Sequence, residues 1–396
     1  MALLNDNNFE ELVPPSLNLF TLPPYQTIIT QHYFDEVRPV SQINDSSPLE
    51  FQVINAGSDY IDLNRTRLHV KLKVKHADGT NLDVKEPVAT VNLFLQSHFS
   101  QVSVYLQNQL VSSTNNHYAY KSMMKTLLNY GAEAKNTQLT SQLFYKDIGE
   151  TNIESTDPLT GLNTGLQSRH IFIDGSKTLT MSGPLYEDIF HMSRHMVHGV
   201  NLTVKRSPPQ FCLISGKAGQ EYKIEILDAY LKVSKLKVNP ALILAHNTLF
   251  QDSNAFFPYT KSEVKVTSIP STQLTATIDG LSNPIANRYI VGFVNRSSLN
   301  GSYNGNPYNF KSSMLKSISL YINGVSVPGR PTQSDDIESY VNMFDGLCLW
   351  RKNTGNAISR SDFLLGSALF VFDIDTVCSE SEYLNLLKSG STWVGD

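Results

Sequence analysis

Charge is scarce in this chain. Asp, Glu, Lys and Arg together make up 17% of its 396 residues, against about 25% in an average soluble domain. There is no excess of basic residues, since 32 Lys and Arg face 36 Asp and Glu for a net charge of −4. A uniformly basic nucleic-acid binder is thereby excluded, because phosphate contacts need clustered Lys and Arg. Low net charge combined with 41% hydrophobic residues also argues against a disordered chain. Cysteine is rare: Cys212, Cys348 and Cys378 are far apart and form no C-x-x-C. That leaves no disulfide framework or zinc knuckle to organise the fold, and reduced, buried thiols are expected. Long apolar runs are missing as well. Ala241–Ala245 and Phe363–Phe372 fall far short of the ~20 residues of a spanning helix, so no transmembrane segment is expected. The first fifteen residues lack the basic and apolar regions of a signal peptide. A soluble protein that is not secreted and is made in a reducing compartment is the expectation, and the N-x-S/T sequons at Asn64, Asn201, Asn295 and Asn300 are then background.

What the chain does have is β pattern. Thr66–Lys75 alternates, with Leu68, Val70, Leu72 and Val74 on one face, as in a sheet strand with one wet side. Leu49–Ile54 alternates too. Val102–Val111 reads as strand, tight turn at Gln107-Asn108, and strand. Behind it, Tyr118, Met123, Met124, Leu127 and Leu128 make the apolar stripe of a helix over 117–130. The second half repeats this order. Glu263–Thr267 and Arg288–Val294 read as strands, Ser317–Val327 as a hairpin turning at Asn323-Gly324, and 335–349 as a capped helix. Tyr105 and Tyr321 fall in register, 216 residues apart. Beyond the helices, Lys177–Met181, Pro184–Phe190, the His198-Gly199 turn and Val200–Lys205 find counterparts in Ala368–Asp373, Ser381–Leu387, Ser389-Gly390 and Ser391–Val394. Such agreement in order points to a duplication. Short, turn-bounded strands without long crossover helices disfavour a parallel sheet and fit two tandem jelly rolls.

The expected fold is therefore all-β, a double jelly roll with short inserted helices. Its divisions are an N-terminal arm over 1–48, a first jelly roll over 49–238 and a second over 239–396. The arm holds Pro14-Pro15, Pro23-Pro24 and Pro39. Residues 1–50 carry seven acidic residues and one basic, net −6, which leaves +2 on the rest; an acidic arm over a slightly basic body can steer subunit docking. The first half continues 39 residues past Gly199, to Val238, whereas only six follow Gly390. The second jelly roll is thus expected to lack its closing strands. Met123, Leu127, Met343 and Leu347 are expected to face the junction of the two rolls or a sheet edge. The long polar stretches 132–176 and 295–312 are expected to reach neighbouring subunits or form an outer tower.

Several stretches resemble one family. Phe51–Asn55, Asp59–Leu63, the hairpin from Val104 to Val111, Tyr118–Lys121 and Thr126–Gly131 look like the major capsid proteins of Polinton/Maverick elements and adintovirus-like viruses. So do Gln167–His170, Ser182–Leu185, Phe211–Ile214, Ile290–Val294, Asn300-Gly301 and Asn306–Phe310. The resemblance covers about residues 45–390, and its motifs are structural. It implies a structural subunit of the virion that forms a homotrimer, a pseudo-hexagonal capsomer. Such capsomers tile an icosahedral capsid around double-stranded DNA, beside neighbouring capsomers and minor or penton proteins, assembled in the host nucleus or cytoplasm. Members usually continue past the point where this chain stops.

Catalytic, cofactor and metal sites are all expected to be absent. His191, His195 and His198 form the strongest metal-like cluster, but Met192 stands where a zincin needs Glu. Gly301-Ser-Tyr-Asn-Gly305 has its serine one place too early for a nucleophile elbow. Ser215–Gly219 is a glycine-rich turn, and no phosphate-binding Gly-x-x-x-x-Gly-Lys-Ser/Thr exists. Lys71, Lys73 and Lys75, like Lys232, Lys235 and Lys237, read as the wet face of an antiparallel sheet rather than a DNA or lipid stripe. Sequence-specific nucleic-acid binding is not expected. A second class stays open: a jelly-roll glycan-binding or glycan-processing protein with carboxylates such as Glu187-Asp188 or Asp335-Asp336. A host-domesticated capsid copy that no longer assembles is a further alternative.

Overall fold

The computed structural model describes residues 14, 16–22, 24–44, 47–55, 57–148, 153–270, 272–282, 284–313, 315–374 and 386–395. Sixteen strands are assigned among them. The first ten are β1 (Ile29–Val37), β2 (Leu49–Val53), β3 (Asp59–His76), β4 (Val88–Thr90), β5 (Phe99–Leu106), β6 (Gln109–Ser113), β7 (Leu179–Pro184), β8 (Val200–Arg206), β9 (Leu213–Ser215) and β10 (Tyr222–Val238). The other six are β11 (Thr277–Asp279), β12 (Arg288–Gly292), β13 (Ser317–Ile322), β14 (Val325–Gln333), β15 (Leu369–Asp373) and β16 (Thr392–Gly395). The helices are α1 (Phe94–Ser97), α2 (Tyr118–Asn129), α3 (Ala132–Asn136), α4 (Thr164–His170), α5 (Pro209–Cys212), α6 (Pro240–Asp252), α7 (Arg296–Asn300), α8 (Ile337–Gly346) and α9 (Arg360–Leu365).

The first half is an eight-stranded sandwich. One sheet runs β1-β10-β3-β7 and the other β2-β8-β5-β6, and every pairing in both is antiparallel. Alternation decides which face is inside. Leu68, Val70, Leu72 and Val74 of β3 are fully buried, as are Val102 and Val104 of β5 and Val204 of β8. The tight turn between β5 and β6 places Gln107 and Asn108 at φ 49° and 65°, the mirror-image turn that matches strand twist. Part of the expected arm lies across its own domain as a strand. Residues 29–37 form β1, which pairs with β10 at the edge of its sheet. Its strand pattern is masked in the sequence because β1 is mostly exposed on both faces.

The second half repeats the plan with six strands. One sheet, β11-β16-β13-β14, matches β2-β8-β5-β6 strand for strand. The other holds only β12 and β15 among the described residues, the counterparts of β3 and β7. The expected strand over 263–267 does not form. Its counterpart β1 is held only by β10, and the described residues of the second half contain no equivalent of β10. Alternation alone therefore leaves this segment extended without a ladder. The hairpin repeat is confirmed, with Asn323 and Gly324 at φ 50° and 83°.

Both halves share one apolar core. Parts of the stretches 132–176 and 295–312 pack within the chain. Arg169, fully buried, donates to the carbonyls of Thr90 (2.8 Å) and Tyr145 (2.7 Å) and to Asp147 (2.7 Å), while Tyr308 and Phe310 are buried in the core. The thiol expectation holds at Cys212, which is free and buried, and fails at Cys348, which is disulfide-bonded. Cys378 and residues 381–385 of the expected Ser381–Leu387 turn lie outside the described residues. No helix is long and apolar enough to cross a membrane among the described residues.

Candidate functional site

The densest polar feature is a buried ion cluster. Lys121 and Lys125 stand one turn apart on α2 and meet Glu187 and Asp188, which open a short 3-10 turn over 188–191. Lys121 Nζ lies 3.2 Å from Glu187 Oε2 and 2.9 Å from Asp188 Oδ2, and Lys125 Nζ lies 2.5 Å from Asp188 Oδ1. Ser112 donates to Glu187, and the backbone N–H of Ser262 donates to Asp188 at 2.7 Å. The cluster thus pins the chain entering the second half onto the first. Burial pushes the Asp188 carboxyl up, but Lys125 and Lys121 together outweigh it and hold the group below its ordinary range. Burial lowers Lys125, against the pull of Asp188. Two cations face two carboxylates, so the cluster is neutral and each carboxylate is committed to a lysine. Among the described residues Glu187 Oε1 alone of the four carboxylate oxygens has no hydrogen-bond partner, and the cluster acts as a fastener. Because residues 187 and 188 sit at a turn, the two carboxylates converge here on Lys121.

The seam between the halves is a second concentration of contacts. Tyr120, Phe211 and Tyr308 pack edge to face, with centroids 5.7 to 6.2 Å apart. Ser97 Oγ and Tyr308 Oη share a hydrogen bond of 2.5 Å, and Tyr120 Oη donates to Pro307 O at 3.1 Å. Lys146 pairs with Asp362 at 2.6 Å. Lys135 donates to the carbonyls of Leu127 and Asn356, and burial pushes its amine down to about 7. Met123, Leu127, Lys135 and Tyr308 line a cavity of about 40 Å³, room for little more than a water and far below the ~300 Å³ of a ligand pocket. Met123 and Leu127 thus stand at the seam, as expected, and Met343 is fully buried with Asn356 against its sulfur.

The other candidates fall into structural places. Met192 and Met196 turn inward, while His191 and His198 are exposed and His195 is half-buried. No group of three potential metal ligands exists among the described residues. Ser215 ends β9 and its hydroxyl meets Tyr222 Oη at 2.9 Å, while Ser302 accepts a turn bond from Gly305 N. Asp336 caps α8. Lys75 pairs with Glu225 across β3 and β10 at 2.6 Å, Lys235 with Asp35 at 2.7 Å, and Lys232 and Lys237 lie over the rings of Phe34 and Tyr33. The lysine rows are therefore interleaved with carboxylates and aromatic rings. Sequence reasoning missed the fastener, although two lysines at i and i+4, the only charged residues of α2, were its signal.

No family model matches the chain. An uncharacterised protein of Caenorhabditis elegans is 24% identical over 388 residues, spanning 93% of this chain and 89% of the worm protein. Among solved structures, a chain of the Sputnik virophage superposes with a TM-score of 0.58 at 10% identity, over 98% of this chain and 86% of that one. A chain of the PBCV-1 virus capsid gives 0.53 at 11% identity, over 95% and 86%. The fold is the double jelly roll of viral capsid chains. The seam is the joint between the two rolls, and the ion cluster, built within the first roll, holds Ser262 of the chain entering the second.

Proposed function

We propose that the protein is a structural shell subunit, a major capsid protein whose three-fold ring forms a pseudo-hexagonal capsomer. The observation that carries this reading is the joint itself. Two sandwiches with matching sheets share one core, so three copies around an axis present six similar modules, and a closed ring also shields sheet edges. Shared fold over almost the whole of both chains supports a capsid role. The finer reading is a Polinton/Maverick or adintovirus-like subunit, in an icosahedral virion shell around double-stranded DNA beside minor and penton proteins, with no enzymatic activity. We divide the chain into an arm up to residue 28, a first roll over 29–238 and a second roll from 239. Electron microscopy of the purified protein tests the reading: triangular or hexagonal particles about one capsomer across, or shells, support it, and uniform single-chain particles count against it.

A second reading has an observation of its own. The relative named above is an animal protein, and the second roll shows only two strands in one of its sheets among the described residues. Both suit a capsid gene resident in a host genome. A chain that stays single in the same images, yet melts cooperatively, favours that reading.

A further inference from the structure

The outward face of the sheet β1-β10-β3-β7 sets like charges against one another. In the ladder between β3 and β10, Arg67 stands across from Lys232, and Lys75 across from Lys223. Like charges directly opposite destabilise a sheet, so folding alone does not select them. Lys75 is relieved by Glu225 at 2.6 Å. Arg67 and Lys232 lack that relief. Neither forms an ion pair among the described residues, although Glu36 stands opposite Lys232 on β1. Both cations lie instead over the ring of Phe34, 5.8 and 5.1 Å from its centroid. Lys71 and Lys73 face Asp228 and Glu225 across the ladder, but Arg38 holds Asp228 at 2.6 Å and Lys75 holds Glu225. Arg67, Lys71, Lys73 and Lys75 thus make, with His69, a row of alternate residues on β3 that is roughly 27 Å long.

Aromatic rings stand among these cations on the same wet face. His69 and Tyr230, opposite each other in the ladder, stack with centroids 4.5 Å apart and planes at 20°. Arg38 lies over the Tyr230 ring at 5.9 Å. On its other side His69 faces only the small Ser182 of β7, and both rings of the stack are half-buried. Cations that track a phosphate backbone, with rings on which bases stack, are the two parts of a sequence-tolerant site for single-stranded nucleic acid. A duplex keeps its bases stacked inside and can use the cations alone. A lipid surface or a sulfated glycan would likewise meet the cations and leave the stack without a role.

We propose that this face binds single-stranded nucleic acid without sequence preference, its phosphates held by Arg67, Lys232, Lys71 and Lys73 and a base stacked on the His69–Tyr230 pair. The inference goes beyond the shell-subunit reading and is tested apart from it. In fluorescence anisotropy the full-length chain should bind a labelled oligothymidylate, with an affinity that falls steeply between about 50 and 200 mM salt. Arg67→Gln/Lys232→Gln should weaken binding and reduce the slope of log affinity against log salt by about 1.4, two phosphates at ~0.7 each. Without nucleic acid the same variant should melt at or above the wild-type temperature, because an opposed pair of like charges is gone. His69→Ala/Tyr230→Ala should weaken oligothymidylate binding about tenfold, the loss of one stacked base. It should leave the salt slope, and the weaker binding of a duplex of equal length, unchanged. Absence of oligothymidylate binding at the lower salt overturns the proposal. Equal affinity for single strand and duplex, with the ring variant silent, also overturns it and leaves a purely electrostatic surface. Binding to heparin or to anionic phospholipid vesicles without binding to oligothymidylate assigns the face to a sulfated glycan or to lipid, and overturns it as well.

Discussion

Lys121, Lys125, Glu187 and Asp188 show what single side chains contribute here. A buried pair gains little over an apolar substitute, but removing one partner strands the other in a low-dielectric interior. Lys121→Met should therefore cost ~3–5 kcal/mol in urea melts, and adding Glu187→Gln should recover part of that loss. Equal losses for the single and double variants would show that Lys121 acts through packing alone. His98 acts through protonation. Its side chain is buried, neither ring nitrogen has a hydrogen-bond partner among the described residues, and burial, reinforced by Arg206, pushes it down to about 3 from an ordinary 6.5. Between those values the unfolded chain binds the extra proton and the folded chain does not. Stability should then fall as pH drops from 6.5 towards 3, at up to ~1.4 kcal/mol per pH unit from this one group. His98→Phe leaves no polar atom unpaired and should flatten that slope in melts at pH 4 to 6.5; an unchanged slope would assign the acid sensitivity elsewhere.

Among the elements, legibility followed exposure. β3 was readable because one face is wet and one dry, and α2 because its stripe is narrow. The hairpins at Gln107-Asn108 and Asn323-Gly324 were readable from turn chemistry. β1 was hidden because an exposed edge strand has no reason to alternate, and 263–267 misled because alternation does not supply a pairing partner. The fastener and the bonded Cys348 were illegible because both depend on residues brought together only by the fold. Two element-level tests follow from close contacts. A Cβ at Gly199 would lie 2.5 Å from Val53 O, so Gly199→Ala should force β8 away from β2 and cost ~1–3 kcal/mol, read as a lowered Tm. Met123 is fully buried on α2 at the seam, so Met123→Asp should abolish soluble yield through an unpaired buried charge. Normal yield from that variant would mean that α2 does not hold the two rolls together.

At the scale of the molecule, the two rolls share one apolar core, and the ion cluster of the first roll is reached from the second by Ser262 N. The resemblance seen in the sequence named a capsid class, and the fold agrees with that class. Mass in solution by light scattering behind size exclusion reads the self-association of this chain directly. A particle of about three times 44.2 kDa, or larger multiples of that ring, is the result expected of a shell subunit. A monodisperse species of 44.2 kDa at micromolar concentration would contradict it.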